Sequence, residues 1–176
     1  MRASERAGQT GLVIGLIVLG IFSRLLPHPW NATPVAAIAL FGGTYLPRRW
    51  GVLLPLAIVM ISDPLIYWHW SVIFNWIAFA LIGTIGWWLR GKPSVGRIAC
   101  AALAGSALFF LVSNLGVWAA GQIYPRTAAG LWECYFAGLS FFRHTASGDL
   151  FFTAVIFGTY NAVRHLNAAR QPAVRG

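Results

Sequence analysis

Only four carboxylates occur in the 176 residues of this chain: Glu5, Asp63, Glu133 and Asp149. The last three fall in or beside apolar stretches, where an ionised side chain is costly and ordinarily faces a bundle interior or a wet cavity. Arg24, His28, Asn31, His69, Asn114, Tyr124, Arg143 and His144 are distributed along the same stretches. Carboxylates and a guanidinium can orient a small ligand, and Trp30 and Trp118 would give it flat apolar contact. Asp63, Glu133, His144 and Asp149 could instead form an acid–base set. Cys134 and His144 are candidate soft metal ligands, although they lack the fixed spacing of a metal site. The chain has no HExxH pair, serine-nucleophile motif or glycine-rich phosphate loop.

The elements that must position these groups are membrane spans. Hydrophobic residues make up 58% and charged residues 10% of the chain, against about a quarter charged in soluble domains. A span takes roughly 20 apolar residues. Six stretches qualify in whole or part: 11–26, 34–46, 50–67, 71–89, 98–120 and 148–163. With six spans, Arg2, Arg6, Arg48, Arg49, Arg90, Lys92, Arg97, Arg164, Arg170 and Arg175 share one side. The positive-inside rule then makes both termini cytoplasmic. The formal charge of +9 is therefore a topological signal. It does not indicate nucleic-acid binding, which would need a polar domain to carry it. The expected fold is an all-α membrane protein, a compact bundle of six transmembrane helices. It forms one domain over 1–166, followed by a basic cytoplasmic tail over 167–176. The basic start and first apolar run lack a small-residue cleavage site, so a retained helix is expected.

This topology gathers Arg24, Asp63, Asn114, Glu133, Arg143 and Asp149 into the outer half. On the sixth span Asp149, Thr153, Tyr160 and Arg164 fall on one stripe, and Ser106, Ser113 and Asn114 share a face of the fifth. Such stripes serve as helix–helix contacts or as pocket walls. The second span is short, at roughly 20 Å of helix, and Pro27, Pro29 and Pro34 interrupt the approach to it. Irregular backbone at membrane depth survives when buried or lining a cavity, so this segment is expected to line one. The alternative is a surface turn anchored by Trp30. Segment 128–142, apolar but broken by Glu133, is expected to be a re-entrant or surface helix that lids the outer face, or else an interfacial helix. Cys100 and Cys134 map to opposite ends, too far apart for a disulfide.

Several stretches carry a family resemblance. They are Arg24-Leu-Leu-Pro-His-Pro-Trp-Asn31-Ala-Thr-Pro34, Ser62-Asp63, Ser113-Asn114-Leu-Gly-Val-Trp118, Tyr124-Pro-Arg-Thr127, Gly130-Leu-Trp-Glu-Cys-Tyr135 and Gly148-Asp149-Leu150. Together they resemble a poorly characterised bacterial family of small six-helix membrane proteins, similar in architecture to the S components of energy-coupling-factor vitamin transporters. That resemblance implies a protein of the bacterial inner membrane that captures a vitamin or cofactor precursor from the outer face. It acts without enzymatic activity or a resident cofactor, and its partners are the lipid bilayer and energy-coupling membrane subunits. Cobalamin is a lead, from a solitary relative that ligates cobalt through a cysteine. The fourth span here offers Asn75 and Trp76 rather than a thiol. The expected substrate-binding residues are Arg24, His28, Trp30, Asn31, Asp63, Asn114, Trp118, Tyr124, Arg143 and Asp149. The rival readings are an intramembrane enzyme and an accessory subunit of a membrane complex.

Overall fold

The computed structural model describes residues 3–27, 32–66 and 68–170. Among them every regular element is an α-helix: α1 Ala3–Leu25, α2 Val35–Tyr45, α3 Arg49–Ile66, α4 Val72–Leu89, α5 Val95–Ala120 and α6 Ala128–Arg170. Four helical stretches, Ala7–Leu25, Arg49–Ile66, Val72–Leu89 and Val95–Ala120, are long and apolar enough to cross a membrane. Their outward faces carry large apolar side chains in the open, among them Ile14, Phe22, Met60, Ile77 and Leu103. A water-soluble monomer does not expose apolar surface on that scale. The chain is a membrane protein.

The short second helix lies at the centre. Every residue from Val35 to Thr44 is buried, and α2 packs against α3, α4 and α6, with lesser contacts to α5 and α1. Around it the neighbours run α1, α3, α4, α5, α6. At 11 residues α2 is about 16 Å long, so it reaches only part of the way through the bundle. Glycines let it sit there. A methyl group on Gly43 would fall on the Gly83 carbonyl, one on Gly86 on the Leu40 carbonyl, and one on Gly83 on the Gly51 carbonyl. Helices α2, α3 and α4 thus meet backbone to backbone, as small residues allow within membranes. Pro55, inside α3, has no N–H to give the Gly51 carbonyl, and that is the carbonyl facing Gly83. Thr44 Oγ1 donates to Leu40 O at 2.7 Å and reaches Gly86 O on α4 at 3.2 Å.

At this C-terminal end of α2, Arg90 closes the helix. Its Nη1 donates to Gly43 O at 2.8 Å and to Leu46 O at 2.7 Å, supplying donors that the last turn lacks. The same end of the bundle holds Arg48 over Trp87, Arg49 over Trp50, Arg97 over Trp88 and Arg164 over Tyr160.

Two expectations are corrected. Segment 128–142 is not a separate re-entrant or surface element: it is the first part of α6, which runs unbroken for 43 residues. The connection from α5 shrinks to residues 121–127, opened by Gly121 at φ 65. Residues 167–170 of the expected tail continue α6 as helix, while 171–176 lie outside the described residues.

Gly83→Ala is expected to lower the melting temperature of the detergent-solubilised protein, at a cost of about 1–3 kcal/mol for overpacking. Gly96→Ala, where nothing lies within 4 Å, should leave it unchanged or raised. Equal melting temperatures for the two variants would refute the glycine junction.

Candidate functional site

The buried polar groups at the end of the bundle away from Arg48, Arg49, Arg97 and Arg164 form two sets. In the first, Arg24 at the end of α1 reaches Asp63 at the end of α3, Nη2 to Oδ1 at 2.5 Å, and Trp76 Nε1 on α4 donates to Asp63 Oδ2 at 2.6 Å. Both carboxylate oxygens are thereby engaged, and Asp63 is buried. The second guanidinium nitrogen, Arg24 Nη1, is buried with no hydrogen-bond partner. In the second set, Ser106 Oγ on α5 donates to Asp149 Oδ2 on α6 at 2.7 Å. Asp149 is 4% exposed.

One cavity lies between these sets and a second adjoins it. One, of about 180 Å³, is lined by Arg24, Thr33, Ala36, Ile66, Asn75, Phe79, Phe109, Thr145 and Asp149. The other, of about 290 Å³, lies between α4, α5 and the first part of α6. Its walls include His69, Ser71, Ser113, Asn114, Tyr124, Cys134, Gly138, Phe141 and Phe142. Asn75, Phe109 and Thr145 line both. The α5–α6 wall is pinned by Tyr135 Oη donating to Leu111 O at 2.8 Å and by Cys134 Sγ donating to Asn114 O at 3.3 Å. Gly138 lets α6 close onto the Asn114 side chain. Segment 128–142 therefore covers the cavity, but as a continuous helix.

The structure sorts the candidate residues. Arg24, Asn114, Tyr124 and Asp149 line the cavities. Asp63 does not; it holds Arg24 in place. Trp118 does not either. Its indole N–H donates to Pro125 O at 3.1 Å and Thr127 O at 3.2 Å, which fixes the turn between α5 and α6. Arg143 is exposed, on a face of α6 away from both cavities. His28, Trp30 and Asn31 lie outside the described residues. Trp68, Trp70 and Trp132 are exposed, so phenylalanines rather than tryptophans wall the space. Cys134 lines the larger cavity, whereas His144 lines a separate cleft with Ser147 and Phe151. Among the described residues no group of three or more His, Cys, Asp or Glu could hold a metal ion. The acid–base set is not assembled either, since Glu133 is exposed and Asp63 is occupied.

Sequence reasoning missed Asn75 and Thr145 as site residues. The signal available for Asn75 was its place beside Trp76 on the otherwise apolar α4. Thr145 gave none, because a lone threonine in a helix ordinarily bonds its own backbone, as this one does to Phe141 O at 3.2 Å.

Removing one member of a buried ion pair strands the other. Asp63→Ala is expected to destabilise the solubilised protein by about 3 kcal/mol, and Arg24→Leu with Asp63→Leu by clearly less. A double variant as unstable as the single one would show that the pair does not carry this energy.

No curated protein and no solved structure matches the chain. A family model matches it over residues 4–172, nearly end to end, and the chain belongs to that family, described as a family of unknown function (DUF6580).

Proposed function

We propose that this is a multi-pass protein of the bacterial inner membrane that captures a small molecule from the outer face. It would act as the substrate-binding part of an uptake system, in the manner of an S component. The observation that carries this reading is the pair of adjoining cavities, walled by Phe79, Phe109 and Phe110 and furnished with Arg24, Asn75, Asn114, Thr145 and Asp149. An apolar pocket with a few convergent polar groups is the usual form of a small-molecule site, and ionisable groups inside a membrane bundle usually mark a substrate path. Volumes of about 290 and 180 Å³ favour a compact ligand over one the size of cobalamin.

The arginine and tryptophan pairs at the opposite end support the orientation: that end faces the cytoplasm, with both termini, and the cavities face outward. The chain carries no ATPase motif, so active uptake would draw on an energy-coupling membrane partner.

Native mass spectrometry of gently solubilised protein is expected to find a small molecule bound one to one. Asn75→Leu, which fills the junction of the two cavities, should weaken its retention about tenfold with the melting temperature kept. An empty protein that brings down a stoichiometric membrane partner would replace this reading with that of an accessory subunit. For orientation, a fluorescent protein fused after Gly176 should fluoresce and alkaline phosphatase fused there should be inactive. The reverse pattern would invert the topology.

A further inference from the structure

The two buried carboxylates are treated differently. Asp63 has a guanidinium on one oxygen and an indole N–H on the other. Asp149 is buried equally well, yet its one partner among the described residues is the Ser106 hydroxyl, on Oδ2. An ionised carboxylate can accept about four hydrogen bonds, and a buried one is costly unless paired with a cation. The one guanidinium lining the same cavity, Arg24, pairs with Asp63 through Nη2, its Nη1 finds no hydrogen-bond partner among the described residues, and no other ion pair forms among them.

A charge inventory of this cavity gives its missing member. Arg24 and Asp63 cancel. Asn75, Thr33 and Thr145 are neutral, and Asp149 brings a carboxyl group that no cation among the described residues balances. Phe79 and Phe109 form the adjoining wall, their ring centroids 4.9 Å apart, and aromatic faces attract cations. On the capture reading above, we infer that the ligand presents a positively charged nitrogen, an amine or a protonated nitrogen heterocycle, to the free oxygen of Asp149, with its apolar part against Phe79 and Phe109.

Three small probes of similar shape and different charge test this: benzylammonium, benzyl alcohol and benzoate. Each is titrated into the full-length protein in detergent while the melting temperature is followed. Benzylammonium is expected to raise it in a concentration-dependent way, with benzyl alcohol and benzoate giving little. Asp149→Asn, which can still accept from Ser106, should weaken the benzylammonium response by about tenfold or more. Glu133→Gln, which removes an exposed carboxylate that lines neither cavity, should retain it. An unchanged response in Asp149→Asn overturns the inference. So does stabilisation by benzoate alone, which would make Arg24 the anchor and leave the capture reading standing. Silence from all three probes, together with an empty protein in native mass spectrometry, overturns both.

Discussion

A helix too short to cross the bilayer has to end inside the protein, and both its ends must be satisfied there. That constraint organises the molecule. Helix α2 spends its 11 residues at the centre of a bundle whose other members are longer, and no residue from Val35 to Thr44 reaches the surface. Its C-terminal end runs into exposed Pro47, Arg48 and Arg49, and the carbonyls of its last turn have no partners within the helix. Arg90 meets the need from α4 with one nitrogen shared between Gly43 and Leu46. The close contacts of Gly43, Gly51, Gly83 and Gly86 follow from the same demand, since a central helix of ordinary width would force the outer ring apart.

The cavity is the complement of that short helix. Before α2 begins, after Pro34, no described residue forms a helix at the centre of that end of the bundle, and Ala36 in its first turn lines the space there. The surrounding helices then present to one another side chains that a full-length central helix would have separated. Arg24 and Asp63 come from the ends of α1 and α3, Asn75 from the start of α4, and Asp149 and Thr145 from mid-α6. Polar groups that would be prohibitive against lipid are tolerable because they face inward. Their pairing is uneven, with both oxygens of Asp63 engaged and only one of Asp149, and this gives the space a chemical direction as well as a shape.

Much of this was legible in the sequence because it is written locally. Hydropathy placed the inner and middle helices to within a few residues, proline spacing flagged the broken second span, and charge placement gathered the outer polar set. Arg24, Asn114, Tyr124 and Asp149 could be singled out because such residues are rare in apolar stretches and each needs a reason to be there. What composition could not show is direction around the helix axis. Trp118 and Arg143 stand at the right depth but turn elsewhere, Trp118 to the carbonyls of Pro125 and Thr127 and Arg143 to the exterior. Asp63 has the right depth and chemistry, but its partner Arg24, 39 residues away in sequence, turns it into a support for the site. Pairing between distant residues has no local signature.

The sixth helix shows the limit of hydropathy most clearly. Glu133 and Arg143 interrupt the apolar pattern of 128–142, which suggests a segment apart from the span that follows. Hydropathy reports which solvent a face meets, whereas helix continuity depends on backbone preferences, and nothing from Ala128 to Arg170 obliges a break: the stretch contains no proline. At 43 residues, about 64 Å, α6 is roughly twice the thickness of a hydrocarbon core of about 30 Å. It is longer than such a layer is thick and stays packed on α5. The cover over the larger cavity is thus continuous with the helix that carries Asp149. Cys134, Gly138, Phe141 and Thr145 are set in fixed register to Asp149 by the helix repeat itself, so the roof of the larger cavity and the carboxyl-bearing wall of the smaller one belong to one continuous helix.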